Sequence, residues 1–385
     1  MARNERLVYD VGLHMGEDAE YYLKIGHQVV AFEANPSCVE YCRNKFSKEI
    51  RSGQLLIVAG AIAAPNETGK VKFFVNPTIS VWSTTNPTWV ARNLAAGAAS
   101  VEIEVDRVDI REIFARRGMP YFLKIDIEGA DNEVLDALGY FQERPEFVSI
   151  EVNTVELVKA RRDLRTLDRL GYRQFLLAPQ KHIAGSRIRR KSLSGEPFEH
   201  VFAEGASGPF GDDLKGVWID RDAALTAVTS ETWQDAHATL SPGAETNIAL
   251  GRPATQSSTG PESTDPNPAI DAGVATNGDA LSPLFFQTAE EDDPWWQVDL
   301  GGAYHVDKIV IYNRCDYRGR LRRFAVLGSN DGRAWAPLLK KENDDIFRVF
   351  AANVVSPAPA RFVRVQLLGR GQLNIRECQV FGRPA

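Results

Sequence analysis

A chain of 385 residues is longer than one typical domain and predicts about two. Its composition, 44% hydrophobic and 25% charged, is that of an ordinary globular protein, and a formal net charge of −6 argues against a nucleic-acid partner, which is held largely by phosphate neutralisation. No stretch approaches the roughly 18 apolar residues of a membrane span, MARNERLVYD carries no apolar leader, and four cysteines without a CxxC or Cys/His cluster (Cys38, Cys42, Cys315, Cys378) suggest neither a disulfide scaffold nor zinc, so a cytoplasmic setting is expected.

Residues 1–220 alternate apolar runs with helical patterns. RLVYDVG reads as a strand and 17–25 as a helix; QVVAFEAN is a strand, 36–48 a helix opened by Pro36, and QLLIVAGAIA another strand. Past a less regular stretch, YFLKIDIEG predicts a strand, ADNEVLDALG a short helix, EFVSIEVN a strand and 155–170 a helix. Such alternation specifies a parallel sheet covered on both faces, hence a doubly wound α/β domain. Residues 221–246 read as a short helix and a Pro-Gly linker. From 247 to 385 short strands follow one another: WWQVDLG, VDKIVIYNR, RRFAVLGS, RFVRVQLLG and IRECQVFG. The alternation of Val363, Val365 and Leu367 with polar residues marks a half-buried strand. A β-sandwich is expected, with Trp295, Val298, Leu300, Ile309, Ile311, Phe324, Val326, Phe362 and Val365 in its core.

The turn after the first strand, VYDVGLHMGEDAEYY, is where a parallel sheet offers a nucleotide-like ligand its seat. Neither GxxxxGK[ST] nor GxGxxG is present, and Glu17 and Asp18 in the first helical turn would repel a pyrophosphate. Glu33, ending the second strand 23 residues after Asp10, can accept both hydroxyl hydrogens of a ribose. A ribose acid beside a loop without phosphate ligands points to S-adenosylmethionine, whose sulfonium cation nearby carboxylates favour. The blander alternative is a plain turn and a solvated strand end.

VYDVGLHMGEDAEYYLKIGHQVVAFEANP, AGAIA, FLKIDIEGADNEVLDAL and PEFVSIEVN, in this order, resemble the FkbM family of S-adenosylmethionine-dependent methyltransferases over roughly residues 7–205. The resemblance implies a Rossmann-like fold and methyl transfer to a hydroxyl oxygen, often on a sugar or natural product. It puts Asp10, Gly12, His14, Gly16, Glu33, Asn35, Ala61 and Asp126 at the cofactor, with Ala61 against the adenine and a departure at His14, where many relatives have Asn. An alcohol is a poor nucleophile near neutral pH, so a base or a metal is needed. Asp126 and Glu128 end one strand and Glu151 and Asn153 the next; Glu128 or Asp126 is the favoured base, with Glu151 and Asn153 positioning the acceptor, and scaffolding or capping as the alternative for each. A divalent metal on Asp126 and Glu151 is a weaker option. SVWST (80–84), with Trp82, offers hydroxyls to the acceptor or packs in the core; KHIAGSRIRRKS (181–192) is a receiver for an anionic acceptor or a solvated loop, and His182 is a second base candidate.

In the second half, NIALGRPATQSSTGP, NPAIDAG, DPWWQVDLGGAYHVDKIVIYNRCDYRGRLRRFAVLGSNDG and RFVRVQLLGRGQLNIRECQVFG resemble the discoidin-like, factor V/VIII type C jelly-roll sandwich, in its F-type fucose-binding flavour. By that resemblance Arg314, Asp316 and Arg320 would bond sugar hydroxyls, with Gln287 at the position of the lectins' His; an internal salt-bridge cluster is the alternative. Asp271 and Glu377 match positions that hold a structural calcium in some relatives. The leading expectation is an O-methyltransferase acting on a sugar hydroxyl of a glycan or glycoconjugate held by the second domain. Two rivals are methylation of a small natural product with the sandwich as a protein-interaction domain, and a lectin-like binding protein with a non-catalytic Rossmann domain.

Overall fold

The computed structural model describes residues 3–64, 69–127, 129–152, 157–229, 233–241, 246–355 and 358–385. Two compact units result: one of Met1–Lys215 with Val228–Ser241, the other of Gly216–Ala227 with Pro242–Ala385.

In chain order the first unit opens with β1 (Arg3–Val11), α1 (Glu17–Ile25), β2 (Gln28–Glu33), α2 (Pro36–Lys45), α3 (Ser47–Ser52) and β3 (Leu55–Ala59). There follow β4 (Ala61–Ile62), β5 (Lys70–Val75), a 3-10 turn at Ser80–Trp82, α4 (Pro87–Ala95), β6 (Val101–Val108) and α5 (Ile110–Arg117). Next come β7 (Met119–Ile125), α6 (Asp131–Leu138), β8 (Phe147–Val152), α7 (Leu157–Arg169), β9 (Gln174–Pro179), and the hairpin β10 (Arg187–Lys191) and β11 (Pro197–Val201). Beyond α8 (Arg221–Ala227) lies β12 (Gln234–Thr239).

The main sheet has seven strands in the order β3-β2-β1-β7-β8-β12-β9. Its centre is parallel, and Leu7–Val11 and Phe122–Ile125 are buried throughout and apolar but for Asp10 and Lys124, as strands covered on both faces have no polar side. The all-parallel expectation fails at one strand: β12 runs antiparallel to both β8 and β9 and hydrogen-bonds between them. The run QLLIVAGAIA is likewise two strands, because Gly60 at φ 135° turns the chain from β3 in the main sheet to β4 in a separate sheet ordered β4-β6-β5.

Of residues 221–246, expected as a short helix and a linker, the helix is present and the Pro-Gly stretch at 242–245 lies outside the described residues, but 234–239 form a strand rather than a linker. The α8 segment belongs to the second unit, where Asp220 accepts from the Tyr312 hydroxyl at 3.1 Å and from Gln379 at 3.3 Å, and β12 is buried along its whole length in the first.

The second unit is a sandwich built on one long strand. It comprises β13 (Ala254–Gln256), α9 (Pro268–Ala272), β14 (Phe286–Gln287), β15 (Glu291–Asp292), β16 (Trp295–Tyr312), β17 (Phe324–Ser329) and β18 (Ala336–Lys341). It ends with β19 (Val349–Asn353), β20 (Ala360–Leu367), β21 (Arg370–Gly371), β22 (Asn374–Ile375) and β23 (Glu377–Pro384). Two expected strands, WWQVDLG and VDKIVIYNR, are one: β16 carries β20 along its first half and β19 and β23 along its second. Val298, Leu300, Ile309, Ile311, Phe324, Val326 and Val365 are core residues as expected, but Trp295 and Phe362 are not. Side chains alternate along a strand, so a core holding Val298 and Val365 takes Trp296 and Val363 with them. Trp295 lies instead under the Arg364 guanidinium, 4.2 Å from its ring centroid.

Candidate active site

Strand order reverses between β1 and β7, and at such a switch point the two following segments diverge and leave a crevice beyond the strand ends. Here it opens into a cavity of about 1000 Å³. Gly12, His14, Glu33, Asn35, Ala61 and Asp126 line it, as do Glu151 and Trp82; Asp10 and Gly16 are buried and do not. Glu128 and Asn153 lie outside the described residues.

The glycine turn is fixed by close approach. Gly12 has φ 99°, and a Cβ there would overlap the Asp126 carbonyl oxygen, so only glycine lets β1 exit across the end of β7. Its N–H and that of Leu13 donate to the Phe32 carbonyl at 3.1 and 2.9 Å, which brings the turn to the end of β2. There the Glu33 carboxylate accepts from His14 N–H and Asn35 N–H, both at 2.7 Å. Asn35 also caps α2, its Oδ1 accepting from Ser37 N–H at 3.0 Å. The structure gives His14 a bracing role: Nδ1 lies 2.9 Å from Glu17 Oε1 and Nε2 2.8 Å from Ser80 Oγ, tying α1 to the 80–82 turn. Burial pushes the imidazole pKa down, but the bond to Glu17 and the charges of Glu17 and Glu33 outweigh it and leave it raised.

Beneath this turn is a charge cluster that reading the motifs alone did not assign. Lys124 of β7 is buried, with Nζ 3.3 Å from Asp18, 3.5 Å from Asp10 and 3.6 Å from Asp126, and it donates to the Gly12 carbonyl at 3.2 Å. Burial pushes this ammonium down, yet Asp10, Asp18 and Asp126 together hold its pKa well above the usual lysine range. One ammonium cannot serve three carboxylates equally. Neither Asp10 oxygen has a hydrogen-bond partner among the described residues, and burial raises its pKa despite Lys124. Asp18 is better provided, accepting from the backbone N–H groups of Ser207 and Gly208.

Toward the next strands the carboxylates form a row. Ile125 pairs with Ile150, so Asp126 and Glu151 follow on neighbouring strand ends, and Glu151 is the register partner of Asp235 on β12. Trp233, 54% exposed, donates its indole N–H to Glu151 Oε1 at 3.0 Å and lines the cavity. Burial pushes Glu151 up to about 8, with Asp126 and Asp131 adding to the shift and Trp233 opposing it. Asp235 is raised by burial and by Asp126 and Glu151, and Asp126 by burial, with Lys124 opposing. Lys181 lines the cavity and His182 does not; most of the basic run beyond them forms β10 of the hairpin, where Arg187 and Arg189 pair with Glu199. Among the described residues no group of three or more His, Cys, Asp or Glu is arranged to hold a metal ion, and no helix is long and apolar enough to cross a membrane.

In the sandwich the four expected sugar contacts are brought together, through a residue that reading the sequence missed. Glu262 Oε2 lies 3.1 Å from Arg314 Nη1 and 3.6 Å from Arg320 Nη1, while Gln287 Oε1 accepts from Glu262 N–H at 2.8 Å. Arg314 Nε donates to Asp316 at 2.8 Å and its guanidinium covers Phe285, 4.1 Å from the ring centroid. The expected calcium pair does not fit. Asp271 is fully buried and both its oxygens are taken by donors: Thr264 N–H and hydroxyl on Oδ1, Gln256 and Gln287 N–H on Oδ2. A carboxylate facing four donors has no lone pair for a cation. Glu377 is buried with Oε1 unpartnered among the described residues, and burial pushes it up to about 8.

Two family models match the chain in order: the methyltransferase FkbM domain over residues 10–174 and the F5/8 type C domain over residues 253–378. The chain joins an FkbM methyltransferase domain to an F5/8 type C domain. The FkbM match spans the turn, Glu33 and the row of carboxylates up to Glu151, and the F5/8 type C match spans Glu262 to Glu377. Among solved structures the chain is similar to the lectin domain of Lectinolysin complexed with Lewis B antigen, at 31% identity over 36% of this chain and 98% of that one, with a TM-score of 0.32. It is also similar to a Streptococcus pneumoniae fucose binding module, at 28% identity over 37% of this chain and 99% of that one, with a TM-score of 0.32. No curated protein matches the chain.

Proposed function

We propose that the FkbM domain transfers a methyl group from S-adenosylmethionine to a sugar hydroxyl, on a glycan or glycoconjugate held by the F5/8 type C domain. One observation carries the reading: a glycine turn without phosphate ligands, the Glu33 carboxylate and the Asp126–Glu151 row converge on one cavity of about 1000 Å³.

The donor set fits that cofactor. Each Glu33 oxygen spends one lone pair on a backbone N–H and keeps another for a ribose hydroxyl. Ala61, packed with Phe73, offers a small apolar wall for an adenine. Asp18 and Asp126 around Lys124, with Asp10 behind them, leave a negative balance that favours a cation and opposes a phosphate. When bound, S-adenosylmethionine supplies an electrophilic methyl group on a sulfonium centre.

The chain's own task is to orient the acceptor hydroxyl and remove its proton as the new O–C bond forms and the S–C bond breaks. We assign the proton to Glu151 rather than Asp126, because Asp126 is held by Lys124 whereas Glu151 has no cation within ion-pair distance among the described residues. The exposed Trp233 indole beside it gives the C–H face of a pyranose a flat apolar partner. In the F5/8 type C domain, Arg314, Arg320 and Glu262 provide converging donors and an acceptor for sugar hydroxyls.

The test is incubation of the full chain with methyl-labelled donor and a panel of oligosaccharides, beside calorimetry with S-adenosylhomocysteine. A labelled sugar is the expected result. Binding of S-adenosylhomocysteine with no sugar labelled removes the sugar acceptor, and no binding removes the methyltransferase reading.

A further inference from the structure

We propose that Arg92 is the receptor for a ligand carboxylate inside the cavity of the FkbM domain, an inference that rests on the methyl-transfer reading above. Arg92 leaves α4 between two indoles, its guanidinium carbon 3.9 Å from the ring centroid of Trp89 and 5.8 Å from that of Trp82. Buried Asn93 fixes one edge of the fork: its Oδ1 accepts from Arg92 Nε at 3.1 Å and Nη2 at 2.9 Å, while its own Nδ2 donates to the Trp82 carbonyl at 3.0 Å. Arg92, Asn93 and Trp82 all line the cavity. Nη1 is left without a hydrogen bond among the described residues, and no carboxylate among them lies within ion-pair distance of this guanidinium.

That is an unusual condition for a half-buried cation, because a charge removed from water without a counter-ion is costly. The acids that line the cavity do not supply one: Glu17 is engaged by His14, Asp18 and Asp126 by Lys124, Glu33 by backbone N–H groups and Glu151 by Trp233, while Glu204 makes no ion pair with Arg92. A ligand that brings an anion would supply the counter-ion that the described residues do not. A planar fork held on one edge between aromatic faces is suited to a carboxylate, which it meets with two parallel hydrogen bonds, better than to a compact neutral group. Two ligands of the proposed reaction bring a carboxylate: the amino-acid end of the cofactor, and an acceptor sugar of the uronic-acid type.

Calorimetry on the full chain separates them. S-adenosylhomocysteine is titrated into wild type and Arg92→Gln; then a glucuronate-containing disaccharide and its neutral glucose counterpart are titrated into each protein saturated with S-adenosylhomocysteine. The F5/8 type C domain is the same in both proteins, so its contribution cancels. A loss of about tenfold or more confined to S-adenosylhomocysteine supports the site with the cofactor as the source of the carboxylate. The same loss confined to the glucuronate disaccharide supports it with the acceptor as the source. Equal affinities of both proteins for every ligand, or no binding of either carboxylate ligand by wild type, overturn it. If wild type fails to bind S-adenosylhomocysteine, the methyl-transfer reading falls by itself, and the disaccharide titrations without it still decide the role of Arg92. Arg92→Lys, which keeps the charge and the stem packing but not the fork, guards against a loss of fold: it lies between wild type and Arg92→Gln if the site is a carboxylate receptor, and matches wild type if only charge matters, which also counts against the fork.

Discussion

Glu151 is the carboxylate whose surroundings decide when it can take a proton. Burial, with Asp126 and Asp131 close by, pushes it up to about 8, so its basic form is scarce at neutral pH and abundant above. The turnover of the methyltransferase is therefore expected to climb with pH through a midpoint near 8 and to level off only above it, and Glu151→Gln to lower it by about 10²- to 10⁴-fold without weakening the binding of S-adenosylhomocysteine. Trp233→Phe removes a donor that favours the ionised form, so the rising limb of the profile moves to higher pH; a limb that stays in place would show that Glu151 is not the titrating base. The sign for stability is the reverse of the usual carboxylate. A folded pKa above the unfolded one means that the folded state binds more protons between them, so this group's contribution falls as pH rises from the ordinary carboxylate range toward 8. Lys124 acts on the same scale. Lys124→Met strands Asp10, Asp18 and Asp126 around an apolar side chain, and a cost of about 3–5 kcal/mol is expected in denaturant unfolding. Its importance was legible in principle: a lysine amid the apolar FLKI of a strand covered on both faces has to be paired. The motif reading passed over it because Lys124 carries no signature of ligand contact.

The strands that hold the site differ in how plainly their residues announce them. β2 and β8, the second half of β1 and most of β7 are largely apolar, which burial on both faces demands, and the strand ends point directly to Glu33, Asp126 and Glu151. β12 is the opposite case. QDAHAT has polar side chains at Gln234, Asp235, His237 and Thr239, yet all six residues are buried. Its place is set by hydrogen bonding on both edges, which leaves no apolar pattern to read. The same holds for the 80–96 segment, whose Trp82, Arg92 and Asn93 build a cavity wall through contacts between residues that periodicity does not pair. A proline separates the two views of residues 234–239. Ala236→Pro removes an N–H from a strand paired on both sides, and a loss of about 3 kcal/mol or more is expected in thermal or denaturant unfolding. In a flexible linker the same change would be close to neutral.

At the scale of the whole molecule the chain passes from the first unit into the second, back, and out again, so the two domains are not beads joined by one linker. On the proposed reading, covalent union acts as a tether does: a glycan held by one domain would meet the other at an effective concentration that free solution does not match. The contribution of the F5/8 type C domain should then appear in KM alone. Arg320 is the residue to probe, since its side chain is 31% exposed, whereas Arg314 is buried against Phe285 and its removal would open a cavity in the fold as well as release Glu262 and Asp316. Arg320→Ala removes one of the two cations on Glu262 and a donor to a bound sugar. It is expected to raise KM for oligosaccharide acceptors by about tenfold or more, with kcat at saturation and the affinity for S-adenosylhomocysteine unchanged. A monosaccharide acceptor, which has no second sugar to leave in the F5/8 type C domain while the first is methylated, should show no such change. If the oligosaccharide KM is unmoved while the variant folds as the wild type does, the glycan is not held at this cluster, and the FkbM domain selects its acceptor through its own cavity.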